Sequence, residues 1–365
     1  MDMRGVVASL AALAALSAGA AAAGTGPPAA RLPAVRGGIA RGIARRTEAA
    51  GAVLASSRGT GVPRVTCTAP AAYRAIAARL SAGVERALRG RAGHQAVTVR
   101  DPVTGISCQA DDGRRFDSAS IVKAVILAAL LRWHQEAGTP LSPWERGEAT
   151  LMITRSDNDA ATGLWDWVGM SRLRRFLSLA AMNETELGAD GYWGLTRATA
   201  HDEMLLLGLL ARPNPVLSAA SRSYELGLMA RVITGQRWGT PAGAPRGVTV
   251  HVKNGWLPDG TGWHVNSIGA FTGKGVDYAI AVLTDDNPSE RYGIDTIQDV
   301  ARVVHRELHA ARAGVRARLA ASLARSGAAQ PSPSAQPSPW AVVPALPAPR
   351  APWAVVPALA APPGP

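Results

Sequence analysis

Lysine is nearly missing from this chain: 36 arginines stand against three lysines, Lys123, Lys253 and Lys274, in 365 residues. Cysteine is scarcer still, with two, so the thiolate clusters of zinc and iron–sulfur proteins are excluded. No G-x-x-x-x-G-K-[ST] is present and no G-x-G-x-x-G opens a helix, which argues against a phosphate loop and a dinucleotide cradle. No G-x-S-x-G elbow occurs either, so the seven histidines do not point to an α/β-hydrolase triad. His305-Arg306-Glu307-Leu308-His309 spaces two histidines by four, but its Glu is at the wrong offset for H-E-x-x-H. That segment is expected to form the outer face of a terminal helix. No metal and no cofactor is implied.

What remains is an ordinary globular composition: 47% hydrophobic residues, 18% charged ones and enough length for a sizeable core. Wholesale disorder is excluded. The formal charge of +12 raises nucleic acid as a partner until its distribution is read. Residues 1–64 hold 8 Arg against 2 acids, residues 65–309 hold 26 basic against 25 acidic, and residues 310–365 hold 5 Arg and no acid. The body is close to neutral and the ends are basic. A specific nucleic-acid site on the fold is therefore disfavoured, leaving solvated tails with at most weak adhesion to anionic polymers.

The first four residues carry one Arg, and an Ala-rich apolar run follows from Gly5 to about Ala23, with small residues at 21–23. This reads as a cleaved secretory signal peptide, with an uncleaved anchor as the alternative. No other stretch is long and apolar enough to span a bilayer. Export would let Cys67 and Cys108 pair, closing a loop of about 40 residues with a contribution of ~4 kcal/mol in the chain-entropy model. Two buried free thiols are the alternative. Residues 24–64 read as a Gly/Pro/Arg-rich linker. Residues 311–365 read as a basic helix end and a Pro/Ala-rich tail, in which Trp-Ala-Val-Val-Pro-Ala-Leu occurs at 340–346 and again at 353–359.

Within the body, residues 70–89 have helical apolar spacing. Strand-like runs follow at 96–100 and 106–109, and three more at 248–252, 267–272 and 278–284, before a helix from Gly293 to about Leu308. Residues 118–245 read mainly as helix. A sheet built from both ends of the body around a helical insertion, an α/β arrangement, is expected.

Three short motifs carry the chemistry. The segment from Ser118 to Trp133 is apolar on almost every face, so its helix belongs in the interior, and Lys123 in its first turns needs a partner or a depressed pKa. Ser120 lies three residues earlier on the same face, near the helix N-terminus. A desolvated amine that is neutral part of the time can take the proton of that hydroxyl, which Arg could not do. Ser156-Asp157-Asn158 precedes another helical stretch and would alone pass for a helix cap. Val252-Lys253-Asn254-Gly255-Trp256, at a strand end, would alone pass for a solvated Lys before an Asn-Gly hairpin turn.

In this order the three motifs resemble S-x-x-K, S-D-N and K-T-G, the marks of the serine β-lactamase and penicillin-binding-protein superfamily, specifically its class A β-lactamase-like branch. The resemblance covers roughly residues 65–310. It implies a β-lactamase/transpeptidase-like fold, an antiparallel sheet flanked by helices with an all-helical insertion. It also implies Ser120 as the acylated nucleophile and Lys123 as its proton partner, with Ser156 relaying a proton to the leaving nitrogen and Lys253 supporting that relay. Asn158, Asn254, Gly255 and Trp256 would face the substrate, the backbone N–H groups of Ser120 and Trp256 would form the oxyanion hole, and Asp157 would fix the loop.

The chain departs from that pattern in three places. Ser120 and Ser156 are 36 positions apart, shorter than is typical of the class, and Asn254 replaces the hydroxyl residue of K-T-G. No E-x-x-x-N loop follows Ser156-Asp157-Asn158. Glu184, Glu186 and Asp190 fall in the corresponding stretch, while Thr199 with Asp202 better fits a capping box. Without a positioned base, acylation could outrun hydrolysis of the acyl-enzyme.

Two functions remain open. One is an exported, monomeric serine hydrolase acting on β-lactams, D-alanyl peptides or esters. The other is a non-catalytic descendant that binds cell-wall or peptide ligands.

Overall fold

The computed structural model describes residues 63–327. The signal peptide, nearly all of the 24–64 linker and the repeated tail segment lie outside the described residues. A short strand β1 (Thr66–Thr68) leads to helix α1 (Arg74–Leu88), then β2 (His94–Asp101) and β3 (Ile106–Ala110). The helical insertion follows: α2 (Val122–Ala137), α3 (Pro143–Thr154), α4 (Asn158–Leu179), α5 (Ala200–Ala211) and α6 (Ala219–Ala230). The small pair β4 (Arg115–Asp117) and β5 (Arg197–Thr199) lies against it. Strands β6 (Thr249–Pro258), β7 (Trp263–Gly273) and β8 (Val276–Asn287) and helix α7 (Glu290–Gly327) complete the chain.

The main sheet is antiparallel with strand order β1-β3-β2-β8-β7-β6. β2 pairs with β8, joining the two sequence-distant groups of strands around the insertion as their patterning predicts. This is the expected α/β fold class, an antiparallel sheet flanked by helices.

Strand alternation sorts the core into two layers. Ala96, Ile268, Ala270, Ala279, Ala281 and Leu283 pack against the helical insertion. Their neighbours Val97, Val99, Phe271, Tyr278, Ile280 and Val282 pack against α1 and α7. The small residues on the first face let the buried helix α2, whose residues Val122–Leu131 are all buried, sit beneath the sheet.

One bland alternative is removed and one reading of the sequence is corrected. Asn254-Gly255 is no turn: β6 runs through it, with Asn254 opposite Ser267, and the hairpin turns at Asp259–Gly262, where the Asp259 carboxylate accepts from the Thr261 and Gly262 N–H groups. His305 is not on an outer face. It is buried, its ring nitrogens 2.7 Å from the Tyr278 hydroxyl and 2.7 Å from the Thr240 carbonyl, and burial lowers its pKa to about 4. His309 alone of the two is exposed. The compact unit closes at Arg312, within α7. No helix among the described residues is long and apolar enough to cross a membrane.

Cys67 and Cys108 are directly opposite one another on β1 and β3 and form a disulfide. The bridge ties the short edge strand to the sheet, where three residues of pairing would otherwise hold it. Replacing both cysteines with serine is expected to lower unfolding stability by about 2–4 kcal/mol. Urea denaturation checks this, and an unchanged midpoint would contradict a structural role for the bridge.

Candidate active site

The site forms where the helical insertion meets the free edge of the sheet. Ser120 is half-buried in the 3-10 turn Ala119–Ile121 at the head of α2. Ala119 takes a positive φ of 48°, a strained conformation for a residue with a side chain. Other elements hold the turn. Asn266 on β7 donates its amide to the carbonyls of Asp117 (2.9 Å) and Ser118 (3.1 Å), and its own oxygen accepts from the Thr284 N–H. The Ser118 N–H donates to the Thr196 carbonyl at 2.8 Å.

β6 is the outermost strand of the sheet, and its Gly255 lies against this turn. A Cβ at Gly255 would stand 2.7 Å from both the Ser118 oxygen and the Ser120 nitrogen. Glycine is required there by close approach, so the backbone of β6 can lie beside the Ser120 N–H. Alternation puts Lys253 on the same face of β6 as Gly255.

The two lysines meet at Ser156, which has a positive φ of 56°. Lys123 Nζ donates to the Ser156 carbonyl (2.6 Å), the Asn158 Oδ1 (2.8 Å) and the Ser156 Oγ (3.3 Å). Lys253 Nζ donates to the same Oγ at 3.0 Å and to the Asn254 carbonyl at 2.8 Å. Both amines are buried, with 0% and 1% of their surface exposed. Among the described residues no carboxylate lies within ion-pair distance of either. Burial lowers the Lys123 pKa to about 7, opposed in part by the charge of Asp157. Burial pulls Lys253 well down too, and Lys123 nearby adds to the effect. Asp157 itself caps α4, accepting from the Ala160 N–H, as its expected structural role requires.

The predicted residues therefore divide. Ser120, Lys123, Ser156, Asn158, Lys253 and Gly255 come together. Asn254 and the Trp256 side chain, one residue out of phase, face the other side of β6. The Asn254 amide donates to the Gln236 and Trp238 carbonyls, both at 2.9 Å, and the Trp256 ring packs edge-on against Trp238. The side chain of Asn254 thus braces the neighbouring 234–238 segment rather than facing the site, because successive residues of a strand point to opposite faces. The Asn158 oxygen is already occupied by Lys123. The Ser120 hydroxyl makes no hydrogen bond among the described residues, and Lys123 Nζ is bonded to Ser156 and Asn158 instead.

No carboxylate from the 184–190 stretch reaches this group. Glu184 accepts from the Thr199 hydroxyl at 3.1 Å, Glu186 pairs with Arg115 at 3.2 Å, and Asp190 sits exposed in a turn. Thr199 does cap α5, accepting from the Asp202 N–H, but the Asp202 carboxylate turns to Glu184 N and Thr185, so only half of the expected box forms. What this region presents to Lys123 is the buried indole of Trp193, its ring centre 4.6 Å from Nζ and its N–H held by the Thr162 hydroxyl. Sequence reasoning missed Trp193 and Asn266. The second had a signal, a polar residue amid the strand run His264–Ala270, whereas nothing local marked the first.

Away from this site, His94, Asp285 and Asp286 could bring ligand atoms within 4.8 Å of one another, but His94 is already paired with Asp285 at 2.7 Å.

Residues 147–308 match the family model described as the beta-lactamase enzyme family. No curated protein sequence matches the chain. Among solved structures, it is similar to the TLA-3 extended-spectrum beta-lactamase (18% identity, TM-score 0.57, covering 63% of this chain and 98% of that one). PBP-A is similar at 21% identity and TM-score 0.55, over 64% of this chain and 96% of that one. The beta-lactamase from Sphaerobacter thermophilus DSM 20745 is similar at 22% identity and TM-score 0.52, again over 64% and 96%. At these identities the likeness establishes the fold.

If Ser120 is the acylated nucleophile that the resemblance implies, substituting Gly255→Ala is expected to push β6 off its turn and slow acylation by a β-lactam on the order of 100-fold, the scale of a lost oxyanion donor. Stopped-flow acylation beside a thermal melt checks this. Unchanged acylation in a folded variant would show that β6 does not meet the reacting group.

Proposed function

We propose that this chain, whose body has the fold of the serine β-lactamases and penicillin-binding proteins and a β-lactamase family match, is an exported serine hydrolase that forms an acyl-enzyme through Ser120. β-Lactam amides are its family-level substrates. The single observation that carries this reading is the convergence on one hydroxyl, beside a strained serine turn, of two buried lysines with no carboxylate within ion-pair distance among the described residues. Structural ion pairs place carboxylates next to buried amines. A site that withholds them keeps an amine available as a base.

The chemistry follows from that poise. Neutral Lys123 takes the Ser120 hydroxyl proton as Oγ bonds to the amide carbonyl carbon. The oxyanion so formed is met by the N–H groups of Ser120 and Trp256, donors fixed before the charge appears. Collapse breaks the C–N bond, and the proton held on Lys123 passes through the Ser156 hydroxyl to the leaving nitrogen. Lys253 holds that hydroxyl in place and, when it carries a proton, draws the substrate's carboxylate. Water then cleaves the ester, releasing the acid and restoring Ser120. The Asn158 amide nitrogen remains for a substrate carbonyl, its oxygen being bound to Lys123.

A specific observation favours a second reading of the last step. Trp193 stands over Lys123, while Glu184 and Glu186 are committed to Thr199 and Arg115 and Asp190 is exposed in a turn. An indole cannot take a proton from water. This supports slow deacylation, the behaviour of a D-alanyl peptidase, an esterase or an acyl trap. A single-residue mutant of PBP-A, one of the similar structures, has been seen as an acyl-enzyme complex with penicillin G. Export accords with the disulfide, which needs an oxidising compartment to form.

Incubation with benzylpenicillin is expected to add one drug mass to the wild-type chain on Ser120, with an adduct that outlives its formation. Lys123→Arg should slow the addition on the order of 100-fold, since a guanidinium stays protonated. The acylation rate should fall about tenfold per pH unit below 7 and level off above it, following the neutral fraction of Lys123. Intact-mass spectrometry reads all three. Absence of any adduct would favour the non-catalytic binder, and prompt turnover would require a base that Trp193 does not supply.

A further inference from the structure

On the face of the sheet opposite the helical insertion, α1, the residues that follow it and α7 border an open surface groove of about 620 Å³. Its floor is a close helix contact at Gly83, where a Cβ would stand 2.7 Å from Val303 Cγ1. Five arginines, Arg86, Arg89, Arg91, Arg302 and Arg306, line the walls with a single carboxylate, Asp299. Asp299 is already shared between Arg91 and Arg302. Arg306 is paired with Glu307 outside the lining, while Arg86 and Arg89 have no ion-pair partner among the described residues. Arg91 is further fixed over the Tyr292 ring, its guanidinium carbon 5.3 Å from the centroid.

Five arginines against Asp299, with Arg306 further offset by Glu307, leave a surplus of three around one groove, although residues 65–309 as a whole are almost neutral. Arg86 stands in the last turn of α1, where the helix dipole favours a cation. Arg302 and Arg306, in the interior of α7, reach the same space while pairing with Asp299 and Glu307. Guanidinium groups match phosphate oxygens two at a time, and several converging on one concavity select clustered phosphates over isolated ones. None of the lining residues belongs to the serine site.

We propose that this groove is a binding site for a ligand carrying two or more clustered phosphate groups. It is a recognition site, separate from the hydrolytic reaction. The same chemistry could be supplied by a soluble oligophosphate or by the headgroups of an anionic lipid surface.

Calorimetric titration of the full chain with inorganic tripolyphosphate at physiological salt, and sedimentation with phosphatidylglycerol vesicles, distinguish those sources. Saturable one-to-one binding of tripolyphosphate or association with the vesicles is expected, and the double variant Arg86→Gln, Arg89→Gln should weaken it by about tenfold or more. The pair is exposed and unpaired, so circular dichroism of the variant should match wild type. If neither probe binds, the proposal is wrong. If binding is unchanged in the double variant, the basic terminal segments account for it and the groove is not the site.

Discussion

Two amines buried against one serine hydroxyl, with no carboxylate beside them, are the constraint on which the site depends. An ammonium in a low-dielectric interior is costly, and two near each other are more so. The protein could neutralise them with Asp or Glu. It supplies instead a backbone carbonyl, an amide oxygen, the Ser156 hydroxyl and, for Lys123, the face of Trp193. These partners accept hydrogen bonds without fixing the charge. The amines are thereby held close to the point at which a proton can leave, and a proton that leaves one can be passed to the other's partner.

The rest of the fold serves to bring these groups together. Lys123 arrives on the interior helix α2, Lys253 on the edge strand β6, and Ser156 in the link between α3 and α4. Small side chains on one face of the sheet make room for α2, and Gly255 lets β6 approach the Ser120 turn. Asn266 anchors that turn from the middle of β7, where an unsatisfied amide would be expensive. Two of the six non-glycine residues with positive φ among the described residues, Ala119 and Ser156, lie in the same place. Such conformations persist only where their surroundings determine them, and here three separate elements do.

Much of this was legible in the sequence. The scarcity of lysine made Lys123 and Lys253 conspicuous, and the all-round apolar helix around Lys123 announced its burial. Alternating and helical patterns located the strands and the insertion, because each element buries one face. The failures have a common cause in tertiary placement. Asn-Gly carries a local turn signal, yet pairing with β7 keeps Asn254-Gly255 extended, and the alternation of that strand sends the Asn254 side chain away from the site. His305 looked like a surface residue because its two partners, Tyr278 and Thr240, come from remote elements. Trp193 was invisible for the same reason: its role exists only once the 188–196 segment folds across α2.

The poise of Lys123 can be observed directly, because a chain with three lysines gives three resolvable side-chain signals when lysine alone is isotopically labelled. Heteronuclear NMR of the labelled protein from pH 5 to 11 should show the Lys123 signal titrating near 7, with Lys253 shifted well below the usual lysine range and Lys274 in solvent for comparison. If Lys123 and Lys253 both stay protonated until the pH of an ordinary exposed lysine, neither amine can serve as the base, and the account fails.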